Sequence, residues 1–596
     1  MKIKYSDLIG DWLQELGYTH CFLLPGGGCM HLVDSFRSRF QCIPVVHEIT
    51  AGIAVEHFNE SRVNGRAFAL VTTGPGLTNI VTAIAGAYVE RRELLVIAGQ
   101  VKSSDLLSKG LRQRGVQEVD GTELVKPITV ASKCIQRPIS KKEFFDLASI
   151  SWGPHPGPVT IEVCLDVQGA EIDVAHRFDL ESEENFSSKA PLLPSGSQEI
   201  DLVVEKIRGS LRPLFLLGGL VSRDLCWKYT EFFERLGIPV ATTTSAIDRM
   251  HSGSKVFAGR PGTWGGQRSA NLIIAQADLV LAIGAQLDLQ QTGFNHEAFM
   301  PLADIIQVYP CVFELNKGHP PINLGINTSP DVFFKQLVKK IYWNDSTDWL
   351  SYVRMISREL PTIEYGNNAR HGFIQSFQLL RSLSLASKPD DIIAICSSGG
   401  VFTASLQVFE LRFGQKALVS PALASMGYGL ATAIGAAFAN PESRIISVEG
   451  DGGFSQNLQD LATVRINDLN IKMFLFDNNG YGSIRATQRK FFNGSYVGCD
   501  SDTGLGMPNW EDLFRAYGIP VHRVSPEEAN PESLAKILEI DGPIGCVVKV
   551  DPEQNNWPSV SSKVLTDGRI VSRPLYDMAP ELPAELKAKV GVFLPQ

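Results

Sequence analysis

A chain of 596 residues is too long for a single hydrophobic core and suggests about three or four domains of ordinary size. With 44% hydrophobic and 20% charged residues and a net charge of -9, it has the balance of a soluble globular protein and no basic footprint for nucleic acid. No run reaches the roughly 18 apolar residues of a membrane span, and the scattered cysteines form no C-x-x-C pair, so neither a zinc site nor a disulfide framework is indicated and a cytoplasmic setting is expected.

The N-terminus, Met1 to Asp7, leads into an amphipathic helix rather than a signal peptide. A glycine turn, Leu24-Pro25-Gly26-Gly27-Gly28, precedes the apolar segment Ile43-Pro44-Val45-Val46-His47-Glu48-Ile49, which carries a glutamate. Glu is seldom buried without a partner; on the residues alone Glu48 is equally well a helix-start carboxylate, and His47 reads as structural. Thr73-Gly74-Pro75-Gly76-Leu77-Thr78-Asn79 follows the strand Ala67-Phe68-Ala69-Leu70-Val71. Leu94 to Ala98 and Pro158 to Val163 are further apolar strands. A polar stretch, 181–189, reads as a linker. A second block from about Ile200 carries glycine-ended strands at Leu214-Phe215-Leu216-Leu217-Gly218-Gly219 and Leu279-Val280-Leu281-Ala282-Ile283-Gly284. After a polar connection at Tyr365 to Arg370 the third block holds Ser397-Ser398-Gly399-Gly400, Ala424-Ser425-Met426-Gly427 and then the most informative pair of segments. The strand Arg444 to Val448 runs into Glu449-Gly450-Asp451-Gly452-Gly453-Phe454, and Ile471 to Phe476 runs into Asp477-Asn478-Asn479-Gly480-Tyr481. With helical spacing over Asn457 to Val464, this is one βαβ unit that brings Asp451 and Asn478 together at the carboxyl edge of adjacent parallel strands. A carboxylate, an amide oxygen and a glycine carbonyl suit Mg²⁺, and the glycines let N–H groups approach a diphosphate. The expected fold is α/β, with three doubly wound parallel-sheet domains at 1–180, 195–345 and 370–550 and an extended tail over 551–596.

The paired motif resembles the diphosphate signature of thiamine-diphosphate enzymes, and the chain looks like the acetolactate (acetohydroxyacid) synthase family over nearly its whole length. The resemblance implies that Asp451, Asn478 and the Gly480 carbonyl ligate Mg²⁺, and that Ser398, Gly399, Gly452, Gly453, Asn478, Gly480 and Tyr481 contact the cofactor. Ser397-Ser398-Gly399-Gly400 departs from the Gly-Gln/Asn-His group usual there. Met426 corresponds to the residue that wedges between the cofactor's rings, and Pro75 and Asn79 lie near its pyrimidine. Glu48 corresponds to the glutamate that exchanges a proton with the aminopyrimidine, and Gln117 to a glutamine that reaches the active site.

Ala98-Gly99-Gln100-Val101, Gln117-Glu118-Val119-Asp120, Pro156-Gly157-Pro158-Val159 and Asp166-Val167-Gln168 look like acetolactate-synthase segments. The tail from Asp567 to Met578 resembles carboligases of sugar and lipopolysaccharide pathways. The implied reaction is thiamine-diphosphate- and Mg²⁺-dependent decarboxylation of a 2-oxo acid, pyruvate in the first instance, with transfer of the acyl carbanion equivalent to an aldehyde, ketone or second 2-oxo acid. The alternatives are a non-ligating decarboxylase of the indolepyruvate or benzoylformate type and a non-catalytic homologue. The resemblance also implies a homodimer or homotetramer with active sites at subunit boundaries. The family commonly binds FAD in the middle domain. Here Gln286 and Gln290 stand where it has arginines, and Tyr309 where an acid would contact the adenosine. Glutamine supplies neither a guanidinium's charge nor its fork to phosphate. That weighs against FAD, although Gly218-Gly219, Thr243-Thr244 and Gly262-Thr263 could line a nucleotide groove.

Overall fold

The computed structural model describes residues 2–107, 110–173, 197–343, 347–564 and 570–595; the stretch 181–189 read as a linker lies outside them. Three six-stranded parallel sheets follow one another along the chain. The first comprises β1 (Tyr18–Leu23), β2 (Gln41–Pro44), β3 (Arg66–Val71), β4 (Leu94–Gln100), β5 (Ala131–Ile135) and β6 (Pro158–Cys164), in the order β2-β1-β3-β4-β6-β5. The second comprises β7 (Pro213–Leu217), β8 (Val240–Thr242), β9 (Phe257–Gly259), β10 (Leu279–Ile283), β11 (Asp304–Val308) and β12 (Leu324–Ile326), in the order β9-β8-β7-β10-β11-β12. The third comprises β13 (Ile392–Ile395), β14 (Ala417–Leu418), β15 (Ile445–Gly450), β16 (Ile471–Asp477), β17 (Val521–Val524) and β18 (Ile544–Lys549), in the order β14-β13-β15-β16-β18-β17. The outer sheets thus share one topology, and the middle sheet has the order of a dinucleotide-binding fold.

The near-continuous apolar runs of these strands follow from burial on both faces. Because successive side chains alternate, Ile392 and Ala394 enter one core while Ile393 and Ile395 enter another. Ala67, Ala69 and Val71 of β3 share that first core with β13, whereas Phe68 and Leu70 face a third. One core therefore joins the first and third sheets. Its centre is the crossing of α1 (Glu48–Ser61) with α3 (Tyr428–Ala439), beside α2 (Pro75–Glu90). Gly435 lies so close to α1 that a Cβ there would overlap the Ala54 carbonyl, and a Cβ at Gly86 of α2 would overlap the Tyr428 hydroxyl.

A buried ionic cluster closes the same junction. The Arg92 guanidinium reaches Glu56 at 2.8 Å and Glu60 at 3.2 Å, and it donates to the Val419 carbonyl and the Ser420 hydroxyl, both at 2.7 Å. Arg223 of the middle domain pairs with Asp248 at 2.6 Å and Glu60 at 3.2 Å. Burial pushes the Glu60 carboxyl up, but Arg92, His57 and Arg223 outweigh it and hold the group below the usual range. Glu90 accepts from the Ala422 N–H at 2.7 Å. Burial raises it to about 7 against the pull of Arg92.

The tail departs from a purely extended segment. Leu575, Met578 and Val590 are buried, Leu575 and Val590 in the core on one face of the middle sheet. Ser562–Val564 pairs antiparallel with Ile570–Ser572, and Ala584–Val590 is a helix. The helix forms because Ala584-Glu585-Leu586-Lys587-Ala588-Lys589 are strong helix formers. Among the described residues no helix is long and apolar enough to cross a membrane.

Candidate active site

β15 and β16 are paired in register, with Gly450 opposite Phe476, so Asp451 and Asn478 leave neighbouring strand ends side by side. Asp451 begins a single helical turn, Asp451–Phe454, and is 1% exposed. Its carboxylate accepts from the N–H groups of Gly452 at 2.9 Å, Gly480 at 2.9 Å and Asn478 at 3.2 Å. Burial, with the charge of Asp477, raises its pKa against these donors. A cation beside it would restore the ionised form. Asp477 itself turns away, accepting from the Asn479 N–H at 3.0 Å and pairing with Lys549.

The side-chain oxygen of Asn478 is buried without a hydrogen-bond partner. An orphaned acceptor of this kind costs about 1–3 kcal/mol unless a ligand satisfies it. Among the described residues no cluster of three His, Cys, Asp or Glu side chains offers a metal site. The donors are of another kind: one carboxylate, the orphaned amide oxygen and the Gly480 carbonyl. This oxygen set fits Mg²⁺, which keeps further positions for phosphate and water.

Around it lies a cavity of about 490 Å³ lined by Ser398, Gly399, Met426, Asp451, Gly452, Gly453, Asn478, Gly480 and Tyr481. Gly399, at φ +83°, opens the helix Gly399–Val408, so a helix N-terminus borders the cavity. A Cβ on Gly452 would press into the Tyr481 ring. These cradles fit a diphosphate. Met426 is 40% exposed, on a loop held by Asn457, whose amide donates to the Gly427 carbonyl at 2.7 Å. Glu449 is buried, accepting from Gly429 at 3.3 Å and Leu430 at 3.2 Å at the start of α3, and burial raises its pKa to about 7. Gln554 and Asn556 from the chain after β18 also line the cavity. Sequence reasoning assigned no role to Glu449, Gln554 or Asn556. A glutamate directly before Gly450-Asp451 was the one available signal.

The remaining candidates lie elsewhere. Glu48 is the first residue of α1 and 5% exposed; Asn79 donates to its Oε2 at 3.0 Å, and the His47 ring caps the helix by accepting from Ile49 at 3.2 Å. Pro75 starts α2 immediately after Gly74. Gln117 is exposed at φ +61°, and its carbonyl sits where a Cβ on Gly74 would be. None of Glu48, Pro75, Asn79 and Gln117 lines the cavity that contains Asp451.

A second chamber, of about 740 Å³, lies between the middle sheet and this cavity and shares Ser398, Gly399, Ala424 and Ser483 with it. Its other walls include Trp264, Gln286, Asp288, Gln290, Glu314 and Lys317. Tyr309 is buried, with the Arg91 guanidinium 5.3 Å from its ring.

Two outer sheets of common topology, a metal-and-diphosphate pocket on one and a buried glutamate on the other define the class of cofactor-dependent α/β enzymes. The N-terminal, central and C-terminal domain models of the thiamine pyrophosphate enzymes match residues 3–124, 200–337 and 398–548. The chain is 28% identical to the acetolactate synthase isozyme 1 large subunit of Escherichia coli over 561 residues, 93% of this chain and 95% of that one. It is 28% identical to the acetolactate synthase large subunit of Corynebacterium glutamicum (92% and 87% covered) and 27% to a probable large subunit of Methanocaldococcus jannaschii (93% of each). The chain belongs to the acetolactate synthase-like family of thiamine-diphosphate enzymes.

Proposed function

We propose that the protein decarboxylates a 2-oxo acid, with pyruvate as donor, and ligates the acyl unit to a carbonyl acceptor. The carrying observation is the orphaned Asn478 oxygen beside Asp451, inside a glycine-walled cavity. Thiamine diphosphate, when bound, supplies the nucleophile and the electron sink for loss of CO₂. Asp451, Asn478 and the Gly480 carbonyl hold Mg²⁺. Ser398, Gly399, Gly452, Gly453 and Tyr481 would hold the diphosphate, and Met426 would pack against the cofactor's rings. Pro75 and Asn79 border the pyrimidine, and Glu48, fixed by Asn79, moves a proton to and from its ring nitrogen.

The separation of Glu48 from the Asp451 cavity within one chain supports a site completed by a second copy. A homodimer, or a homotetramer built as two such dimers, supplies Glu48 and Gln117 from one subunit and Asp451 from the other. We infer a cytoplasmic enzyme acting on small molecules. The test is to incubate the protein with pyruvate, thiamine diphosphate and Mg²⁺, with and without aldehydes and ketones, following CO₂ and products by mass spectrometry. No CO₂ from any 2-oxo acid sinks the reading. CO₂ with aldehyde as the sole product makes it a simple decarboxylase.

A further inference from the structure

We propose that the chamber beside the diphosphate cavity receives an uncharged, hydroxyl-bearing carbonyl acceptor rather than a dinucleotide or a second 2-oxo acid. The inference rests on the carboligase reading above. Four shared residues make the chamber continuous with the cavity, and one of them, Ala424, is two positions from Met426.

The charges of the chamber argue against an anion. Lys317 is its ammonium, and the Nζ is already taken, donating to Glu314 at 3.0 Å and to the Gln286 carbonyl at 2.6 Å. Asp288 adds a second carboxylate, engaged with the Gln291 N–H at 3.0 Å. His319 turns its Nδ1 to the Lys317 carbonyl at 3.1 Å. No unpaired guanidinium or ammonium stands among the described lining residues. A carboxylate or pyrophosphate placed here would lose its water facing two carboxylates and one committed lysine, an unfavourable exchange.

What the chamber offers instead is neutral polarity. The side-chain amides of Gln286 and Gln290 and the hydroxyl of Ser483 line it. Independently, the Ser397 hydroxyl, on a residue 1% exposed that lines the chamber, is buried with no partner. Amides and hydroxyls both donate and accept, as alcohol groups require. Trp264, Leu289 and Phe402 give apolar surface for the C–H faces of such a molecule. The transfer breaks the donor's bond between carboxylate and carbonyl carbons, releasing CO₂. It forms a carbon–carbon bond to the acceptor's carbonyl carbon and delivers one proton to the acceptor's oxygen. No oxidant is consumed, so the reaction leaves a flavin no redox part.

The test offers the holoenzyme pyruvate with equal concentrations of dihydroxyacetone and 2-oxobutyrate and quantifies products by mass spectrometry. We expect the dihydroxyacetone product to exceed the products of both carboxylate acceptors by about tenfold or more. Gln290→Arg should lower that ratio by about tenfold, and protein purified and then denatured should release no flavin absorbance. Products dominated by carboxylate acceptors, an unmoved ratio in the variant, or stoichiometric flavin would each overturn the proposal. CO₂ release from pyruvate alone is measured in parallel. Its absence defeats the underlying carboligase reading, whereas its presence with carboxylate acceptors preferred defeats only this one.

Discussion

At the start of α1, Glu48→Gln keeps an amide oxygen for Asn79 and removes the exchangeable proton. We expect CO₂ release to fall by about 10²- to 10⁴-fold with the melting temperature little changed. Asn478→Ala acts differently. It removes an oxygen that has no protein partner, so the Mg²⁺ concentration for half-maximal activity should rise by about ten- to a hundredfold without loss of stability in the metal-free protein. A fall in metal-free melting temperature by several degrees would show instead that Asn478 is structural. Asp451 and Asn478 were legible in the sequence because two strand ends in register fix their neighbourhood locally. Ser397 and Asn556 were not. The first is notable only for lacking a partner, and the second reaches the cavity from beyond the last strand of the third sheet, a placement no local pattern encodes.

Between elements, the decisive contact is the crossing of α1 and α3. Gly435 within an alanine-rich helix reads in sequence as a weak position, yet it is the point where two backbones meet. Gly435→Ala should therefore destabilise the protein by about 1–3 kcal/mol, read by chemical denaturation, although propensity alone predicts the opposite sign. The ionic cluster at the same junction gives a pH signature. Glu90 has a folded pKa of about 7 against an ordinary 4.5. The folded chain thus holds the proton more tightly, and the stability it contributes is present below 4.5 and lost as pH rises through 7. Replacing it by Gln keeps the acceptor for Ala422. The variant should gain on the wild type with rising pH, by up to about 3 kcal/mol across that window, measured by thermal melts at both ends. The apolar strands were readable from composition and period. This junction was not, because its partners lie hundreds of positions apart.

Over the whole molecule, the proposed two-subunit site would give each chain two half-equipped faces, one on each of the outer sheets of shared topology. Mixing and re-associating Glu48→Gln and Asp451→Asn subunits, each inactive alone, should restore roughly a quarter of wild-type activity, since half the random dimers carry one intact site. No recovery would place both residues in one chain's site. The middle sheet's strand order was hidden in the sequence, where its glycine-ended strands resemble those of the other two, and only the pairing pattern separates them. A further consequence follows from a cavity built wholly without the Glu48 domain. On the two-subunit site proposed above, the grip on the cofactor's diphosphate and the capacity to turn over would have different molecularities, the first belonging to a single chain and the second to a pair. On dilution below the dimer's dissociation constant, retention of the cofactor should fade gently while specific activity falls in proportion to subunit concentration, and activity per volume with its square. Turnover number thereby becomes a direct gauge of how many chains have found each other.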